Sequence, residues 1–409
     1  MPNSFKFADW ITMESLRHLK NKLIVAEKFN TEYNKEFTKA YAVGETVRVK
    51  LPQRFIATTG LAYQPQAIDR RNTTVTVDQI FGVHFDWDSA EKALKMERGD
   101  AAIREEYIVP AMNEIAQQID SKAALWAYQH TNNVVGALAT NPTAISTYHS
   151  ARQKFVENAC PAGEKAMILT PGFMNSIASN LTTLQNPTDQ ISKLYKEGFQ
   201  NRAAGFDWYE SMSLYEHTAG TWAGAVTVNG AGQTGSSLNI NCTSGDTFKK
   251  GDKISIANVL NANPSTRRSV GSAKHFTILA DVTATAATAT LTISPAIEGP
   301  GSQYQNVDAL AANTAALTLW PGTGSPNGKV GYVGLGLHKD AFALVGVPME
   351  KPTAAEISSQ MRDPQTGISV RFVRMFDPRT SQMLNRFDVL LGFGDLYPDN
   401  CAVAVAGDA

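Results

Sequence analysis

Alternating apolar and polar positions mark two strands in the first quarter of the chain. The stretch 47–51 alternates valine or leucine with basic residues, and alternation returns at 75–77 and 81–85. Period-two alternation is typical of strands with one buried face. The segments predict a long two-stranded arm between Val47 and Phe85, with prolines and a glycine at its tip. Because an isolated two-stranded ribbon is marginally stable in water, we expect the arm to need a partner.

A helical pattern follows the arm. Between Asp100 and His130, apolar residues recur every three or four positions, which predicts an amphipathic helix of roughly 45 Å. Its apolar stripe consists of Ile103, Tyr107, Ile115, Ile119, Ala123 and Trp126. Gly99 ends a short helix before it, Asp100 is placed to cap it, and Pro110 is expected to kink or split it. Such a helix exceeds the ~30 Å width of a small domain, which favours contacts with neighbouring subunits.

The remaining periodic segments are shorter and mix helices with strands. An amphipathic helix is predicted over 9–28 and a second begins at Asn141-Pro142. A third runs over 171–181, after a short apolar strand at 166–169. These segments show no βαβ repeat, so they predict an α+β fold.

The composition of the sequence changes between Trp222 and Pro326. Gly, Ser, Thr, Asn and Ala dominate there, helical periodicity is lost, and short strands alternate with turn residues. This pattern predicts a small all-β domain inserted into the host fold. Helix and strand signals of the earlier type return from Val330 onwards.

The composition limits the class of protein. The chain has 409 residues, 43% of them hydrophobic, and a formal net charge of −1. These values favour a globular protein of two or three domains, without an overall basic field for nucleic acid or anionic membranes. We expect no membrane span and no signal peptide, because the sequence has neither a long apolar run nor a cleavage pattern. The protein is therefore expected to be made in a cytosol.

Candidate chemistry is sparse. Cys160, Cys242 and Cys401 are too widely spaced for a metal or redox motif, and no two histidines lie at i,i+2 or i,i+4 spacing. A site assembled from distant segments stays open. His217 lies near two glutamates, but a structural or solvated histidine is the commoner case. We predict that the protein is not an enzyme and has no catalytic, cofactor-binding or metal-binding residue and no cofactor.

Two short motifs and the order of the elements carry a family resemblance. The motifs are Ala204-Gly205-Phe206-Asp207, just before the inserted region, and Gly251-Asp252-Lys253-Ile254-Ser255 within it. With these motifs and this element order, the chain resembles the major capsid (coat) proteins of tailed bacteriophages, in the branch similar to the coat protein of phage P22. The element order covers nearly the whole chain, whereas the motifs are short.

The resemblance implies an α+β, HK97-like capsid fold with an inserted small all-β domain. In chain order its parts are an N-terminal arm and helix (1–34), an extended β-loop arm (35–87), a spine-helix region with the peripheral domain (88–140), an axial-type α+β domain (141–221), a β-barrel-like accessory domain (222–326) and a return to the axial and peripheral domains (327–409). Arm, loop and spine helix are the elements that the resemblance assigns to contacts between subunits.

The resemblance also implies a function and partners. It implies self-assembly into the hexamers and pentamers of an icosahedral shell, which encloses double-stranded DNA without sequence-specific binding and without a membrane. A scaffolding protein during assembly and a portal protein are implied partners, and a decoration protein is left open. The location is the virion capsid, assembled in the host cytoplasm. Near-neutral charge suits a DNA container, since a strongly basic inner wall would bind packaged DNA tightly.

Two sets of charged residues are candidate contact sites. The arm carries the residues expected to contact other subunits, namely Arg48, Lys50, Arg54, Asp69, Arg70 and Arg71. At the start of the first helix, Asp9 and Glu14 are the candidates for a scaffold contact, because the helix dipole favours negative charge there. A solvated acidic helix start without a partner is the alternative.

Two other classes of protein compete with the capsid assignment. An encapsulin-like compartment, or another self-assembling shell or surface-layer protein, would share the arm and the long helix. A hydrolase with an inserted carbohydrate-binding-like β-domain would need paired carboxylates in a pocket, and the sequence marks none. The resemblance favours the capsid protein over both.

Overall fold

The computed structural model describes most of the chain. It covers residues 3–33, 46–57, 60, 65–66, 68, 71–88, 104–181, 202–320, 327–353, 355, 357–363, 366–379 and 381–407. The chain divides into two compact units. Unit 1 comprises Met1–Val49, Asn72–Ala123 and Phe342–Leu396. Unit 2 comprises Lys50–Arg71, Ala124–Ala341 and Tyr397–Ala409. Because neither unit is continuous in sequence, each is held together by contacts between distant parts of the chain.

The described residues contain both helices and strands. The helices are α1 Asn3–Lys22, α2 Val109–His130, α3 Ile145–Glu157, α4 Pro171–Leu181 and α5 Pro398–Cys401. The strands are β1 Thr46–Lys50, β2 Asn72–Asp88, β3 Asn133–Val135, β4 Lys165–Leu169, β5 Arg202–Ala203, β6 Phe206–Glu210, β7 Glu216–Thr218, β8 Thr227–Val228, β9 Gly235–Asn241, β10 Thr247–Phe248, β11 Lys253–Ala262, β12 Ser269–Ile278, β13 Val282–Thr283, β14 Thr288–Ile297, β15 Leu317–Leu319, β16 Val330–Tyr332, β17 Gly334–His338, β18 Phe342–Gly346, β19 Ile357–Arg362, β20 Ser369–Asp377, β21 Gln382–Asp395 and β22 Ala402–Val405. None of the described helices is both long and apolar enough to cross a membrane.

Unit 1 is built on a six-stranded sheet. Its strand order is β1-β2-β21-β20-β19, and β18 also pairs with β21. The long antiparallel pair of β2 and β21 extends from Thr76 opposite Phe393 to Asp88 opposite Gln382. The return strand of the predicted two-stranded arm therefore also pairs with β21 of the same chain, so the arm is not two-stranded at its base. A period-two pattern reveals that a strand has a buried face, but not which strand lies beside it.

Helix α1 is docked on this sheet by apolar and polar contacts. Leu19 and Leu23 are buried, and Thr12 Oγ1 lies 3.1 Å from Ser359 Oγ on β19. Just after the helix, the buried carboxylate of Asp120 accepts two backbone N–H groups at 2.8 and 3.0 Å. Burial raises the pKa of Asp120, while these hydrogen bonds oppose the rise. The predicted helix over 9–28 is thus present, although it begins earlier and ends in a separate 3-10 turn.

Helix α2 corresponds to the predicted long helix but begins later. A π-helical turn at Arg104–Ile108 precedes it, and the α-helix begins at Val109. Pro110 is the second residue of α2, directly after this π-helical turn, and it lacks the N–H that a continuous regular helix would use there. This position agrees with the predicted break at Pro110. Gly99 and Asp100, the expected stop and cap, lie outside the described residues.

The core of unit 2 is a mixed sheet with helix α3 packed on it. The strand order is β3-β22-β17-β4-β6-β5, with β4 parallel to β6 and β22 parallel to β3. The largest buried side chains of this core include Tyr148, Phe155, Phe173, Phe206 and Trp208. Since β4 is followed by α4 and then by the parallel β6, one crossover connection is present. The sequence pattern did not predict it, because a single crossover leaves no repeat to detect.

Local boundaries in this part of unit 2 are predicted unevenly. The strand at 166–169 and the helix at 171–181 agree with β4 and α4. Helix α3, however, begins at Ile145 instead of Asn141-Pro142. Asn141 and Pro142 thus precede the helix without forming its first turn.

Between Trp222 and Trp320, every described regular element is a strand. A six-stranded sheet with the order β15-β11-β12-β14-β9-β8 forms this β-region, together with the small pair β10–β13. Leu291 on β14 lies opposite Leu238 on β9, and both are fully buried. The predicted change to β structure near 222 is therefore found, while 321–326 lies outside the described residues.

The β-region also makes buried polar contacts with other parts of unit 2. Thr277 Oγ1 donates to the Thr131 carbonyl at 2.8 Å, and the Trp320 indole donates to the Gly136 carbonyl at 3.0 Å. Buried polar groups that lose a partner destabilise a protein. If the β-region were separated from the rest of unit 2, these groups would have to form hydrogen bonds with water instead.

We expect residues 223–325, expressed alone, to fold autonomously. Their sheet pairs within the segment, so the fragment should give β-type circular dichroism and a cooperative thermal transition. In the fragment, Leu291→Ala should lower stability by about 2–5 kcal/mol, because it opens a cavity in the sheet's own core. A random-coil spectrum, or a fragment unaffected by Leu291→Ala, would contradict an independent core.

Candidate assembly surfaces

The arm tip, defined as Lys50–Arg71, contacts the β-region within unit 2. The Gln303 side chain donates to the carbonyl of Arg54, and Arg267 Nη2 donates to the carbonyl of Phe55 at 3.2 Å. Both acceptors are backbone atoms, so these two contacts fix the position of the tip through its main chain. The sequence gives no signal for these partners, which lie more than 200 positions away.

The charged residues of the arm that the structure describes are accessible to different degrees. Arg48 and Lys50 are exposed on β1, which is the edge strand of its sheet. Arg71 is also exposed, and its guanidinium carbon lies 4.4 Å from the centroid of the Tyr304 ring. At this distance a cation–π interaction contributes about 0.5–1 kcal/mol at an exposed site. Asp69 and Arg70 lie outside the described residues.

A cavity of about 310 Å³ lies beside the tip. Its lining consists of Arg54, Phe55, Ala159, Pro264, Ser265, Arg267 and Asn400. Burial, and then the charge of Arg71, lower the pKa of the Arg54 guanidinium. The group stays protonated because arginine titrates far above neutral pH. The cavity therefore has a positive wall near the backbone of the arm.

The two predicted scaffold-contact residues differ in exposure. Asp9 is exposed, and its carboxylate accepts a hydrogen bond from Ser359 Oγ at 2.7 Å. The Glu14 side chain is only 8% exposed and lies 3.1 Å from His18 Nε2 and 3.8 Å from Arg17 Nη1. Asp9 is thus the carboxylate that a partner would reach more directly.

Large apolar side chains are exposed on the sheet of unit 1. Met375 on β20 lies directly opposite Leu384 on β21, and their exposed fractions are 45% and 38%. Ile80 on β2 is 59% exposed. Clustered exposed apolar residues are typical of surfaces that contact other proteins.

A buried polar cluster joins the end of α2 to the β-region within unit 2. Lys253 Nζ donates to the Tyr128 carbonyl at 2.6 Å and lies 4.5 Å from the centroid of the Tyr128 ring. Burial lowers the pKa of Lys253 well below its usual value. Next to it, His217 Nε2 and Asp252 Oδ1 are 2.8 Å apart. Because both His217 and Asp252 are buried, their arrangement favours the structural role of His217 over acid–base catalysis.

One cluster of reactive side chains could not be found from sequence spacing. Cys160 Sγ and Cys401 Sγ lie 3.5 Å apart although they are separated by 241 positions. A ligand atom of His338 lies within 4.8 Å of both sulfurs. The hydrogen bond between the two thiols lowers the pKa of Cys160. Spacing within one segment gives no sign of this cluster, which is assembled from three distant segments, the case that the sequence had left open.

Comparisons with known proteins add family information. Residues 234–407 match the family model of the P22 coat protein, described as gene protein 5. No curated protein sequence matches the chain. Among solved structures, the chain is similar to one from Mycobacterium phage Che8, with 10% identity, coverage of 94% of this chain and 90% of the other, and a TM-score of 0.49.

Two further solved structures illustrate the range of similarity. The capsid structure of the cyanophage P-SCSP1u is 13% identical, with coverage of 95% of this chain and 89% of the other and a TM-score of 0.47. The CUS-3 coat protein I-domain is 29% identical, with coverage of 23% of this chain and 94% of the other and a TM-score of 0.19. These values are below those at which a structural likeness supports an argument, so the family match carries the assignment.

Exposed strand edges, exposed apolar residues and the family match define a structural protein that assembles into a multimeric shell. Residues 234–407 are similar to the P22 coat protein family, and this match supports a phage major capsid protein that forms an icosahedral shell. Its location is the virion capsid. The encapsulin-like alternative is less supported, because the family match is to a phage coat protein.

We expect His130 to make the chain sensitive to acid. Burial, with the charges of Lys250 and Lys253, lowers the pKa of His130 from 6.5 to about 4. Between these values the unfolded chain binds a proton that the folded chain does not, so stability falls as pH drops from 6.5 towards 4. His130→Gln should make this fall shallower, by at most about 3 kcal/mol.

The measurement is urea unfolding of the unassembled chain at pH 7, 5.5 and 4.5. His149→Gln is the matched control, because His149 is exposed and should leave the profile unchanged. Parallel profiles for the two variants would show that His130 does not carry the acid sensitivity.

Proposed function

We propose that this coat protein joins its neighbours in the shell through the arm. The observation that carries the proposal is the exposure of Arg48 and Lys50 on β1, at the edge of the sheet of unit 1. An edge strand offers unpaired backbone N–H and C=O groups, and charged side chains on it prevent indiscriminate pairing. A neighbouring subunit with acidic side chains would satisfy both features.

The proposal includes an HK97-like arrangement of the chain. The parts are an N-terminal arm (1–34), an extended loop (35–87), a spine-helix region (88–140), an axial-type domain (141–221), an inserted accessory β-domain (222–326) and a return segment (327–409). Two observations support this layout. Helix α2 is long and continuous, and the segments around it belong to discontinuous units. The strands of the β-region lie together between 227 and 319.

The same proposal covers partners that the assembly would need. Hexamers and pentamers of the chain would enclose double-stranded DNA, and assembly would take place in the host cytoplasm with a scaffolding protein and a portal protein. The formal net charge of −1 supports a container that holds DNA without binding it tightly. A decoration protein remains an open partner, for which no described surface is specific.

We expect Arg48→Glu and Lys50→Glu to impair shell formation without unfolding the subunit. Both side chains are exposed, so the stability of the unassembled chain should change by no more than about 0.5 kcal/mol. The measurements are sedimentation of shells formed from purified chains and urea unfolding of the same chains. Lys249→Glu, an exposed charge reversal in the β-region and outside the arm and α2, is the matched control.

Arg71→Glu extends the test to the tip, with Tyr304→Ala as the variant that removes only the ring beneath the guanidinium. If the arm serves assembly, Arg71→Glu should impair shell formation more than Tyr304→Ala does. If the arm variants and Lys249→Glu affect assembly equally, or if loss of assembly follows loss of stability, the arm proposal fails.

We also propose that the start of α1 contacts the scaffolding protein. The proposal is supported by the exposure of Asp9, whose carboxylate a partner could reach. Because α1 begins at Asn3, Asp9 lies beyond the first turn, and the helix dipole expected from the sequence does not act on it. Glu14 is mainly buried beside His18, so it would act indirectly, by orienting the helix. Surface ion pairs contribute about 0–1 kcal/mol each and are screened by salt, which suits a partner that leaves after assembly.

We expect Asp9→Lys to weaken scaffold binding and to reduce its dependence on salt. Ser359→Ala is the matched control, because it removes the hydrogen bond to Asp9 and keeps the charge. Binding is measured by titration at several salt concentrations, with Glu14→Gln as a milder change at the buried position. Unchanged affinity and salt dependence in Asp9→Lys would exclude Asp9 as the contact and leave the capsid assignment intact.

A further inference from the structure

Three chain segments meet at one end of the mixed sheet of unit 2. Strand β17 ends at His338, which pairs with Lys165 at the start of β4. On the other side of β17, Leu337 pairs with Ala402 at the start of β22, and Cys401 directly precedes it. Because β17 is antiparallel to both neighbours, its last residue meets their first residues. The loop that leads into β4 contains Cys160.

The topology therefore brings together two thiols and an imidazole. The two sulfurs are 3.5 Å apart, and the ligand atoms of Cys160, His338 and Cys401 all lie within 4.8 Å of one another. In a tetrahedral zinc site the metal–sulfur and metal–nitrogen bonds are about 2.3 and 2.0–2.1 Å. Ligand atoms around such an ion are therefore about 3.5–4 Å apart. The cluster needs only small side-chain movements to reach that spacing.

The surroundings of His338 are also suited to a metal ligand. The Asp340 backbone N–H lies 3.2 Å from His338 Nδ1, and Asp340 Oδ2 lies 3.7 Å from the same atom. Metal-binding histidines donate the N–H of their other ring nitrogen to a carboxylate, carbonyl or water. Binding of an ion by Nε2 would therefore place the proton on Nδ1, which would donate to the Asp340 carboxylate instead of accepting the backbone N–H. The opposite nitrogen, Nε2, faces Gly163 so closely that a Cβ at this position would overlap it. Gly163 thus leaves room for the imidazole in the loop that contains Cys160.

We propose that Cys160, His338 and Cys401 bind a soft divalent metal ion, for which Zn²⁺ is the best match. Thiolate and imidazole ligands together select zinc over the oxygen-preferring magnesium and calcium ions. Three protein ligands leave a fourth position, which water would take. Cys401 is buried and Cys160 is partly exposed, so the ion would enter from the side of Cys160.

The role of such an ion would be structural. It would join the loop before β4, the end of β17 and the start of β22, which lie 60 or more positions apart in sequence. Metal binding to residues that are close only in the folded state stabilises that state. This inference does not rest on the proposed arm contact, since it concerns the folding of unit 2 in each subunit.

The test uses Co²⁺ as a spectroscopic probe on the purified, unassembled full-length chain, with a phosphine reductant to keep the thiols free. One equivalent of Co²⁺ should produce a thiolate-to-cobalt charge-transfer band and tetrahedral d–d bands, and Zn²⁺ should displace it. Thiol counting is an independent readout. Zn²⁺ should protect two of the three cysteines from a thiol reagent, and only Cys242 should react.

Variants assign the ligands. Cys160→Ser and His338→Gln each remove a ligand and should weaken metal affinity by at least about 100-fold. Gly163→Ala should weaken it by about 10-fold or more, because changes next to a ligand that alter its orientation have effects of this size. Cys242→Ser is the matched control and should keep full affinity. Cys401 is buried, so circular dichroism must show that Cys401→Ser folds; if it does not, Cys160→Ser and thiol protection carry the test.

Three outcomes would overturn the proposal. The first is the absence of a thiolate–cobalt band in the reduced chain. The second is an equal loss of the band in Cys242→Ser, which would indicate non-specific thiol binding. The third is that Cys160 and Cys401 form a disulfide in the untreated chain and, after reduction, react with the thiol reagent as fast with Zn²⁺ as without it.

Discussion

The pairing of β2 with β21 is the interaction on which the rest of unit 1 depends. Strand β21 also pairs with β18 and β20, so four strands of the sheet meet through it. Thr73 Oγ1 donates to the Asp395 carbonyl at 2.9 Å across 322 positions of sequence, and Phe81 lies opposite Val389, both buried. Pairings between such distant segments form slowly, because the entropy of closing the intervening chain is lost before the contacts are gained.

The sequence predicted those parts of the fold that local pattern determines. Strand β4 and helix α4 have the predicted bounds, because a short apolar run and a proline at the first helical position are local signals. The partner of β2 and the parallel pairing of β4 with β6 were not predictable, since register and neighbours depend on segments far away. The start of α3 was misplaced for a related reason: Asn141-Pro142 signals a helix start that the chain does not use.

The sequence predicted which charged residues lie on the candidate surfaces, but not which residues surround them. Arg48 and Lys50 are exposed, as alternation on a strand with one buried face implies. Glu14 was predicted as a scaffold contact, with a solvated helix start as the alternative, whereas its neighbours cover it. The amphipathic pattern of α1 gives no information on what packs beside the polar residues. The cluster of Cys160, His338 and Cys401 has no sequence signal at all, since three strands had to be aligned before the ligands could meet.

The position of β22 has a consequence for the order of events in synthesis. This strand, Ala402–Val405, lies between β3 and β17, and Val403 and Val405 belong to the core that Tyr148 and Phe155 also form. Before residue 405 leaves the ribosome, the sheet has a gap in its interior and two unpaired inner edges. A nascent chain therefore cannot present a finished subunit to its neighbours, and the translation of β22 separates the folding of a subunit in time from its incorporation into a shell.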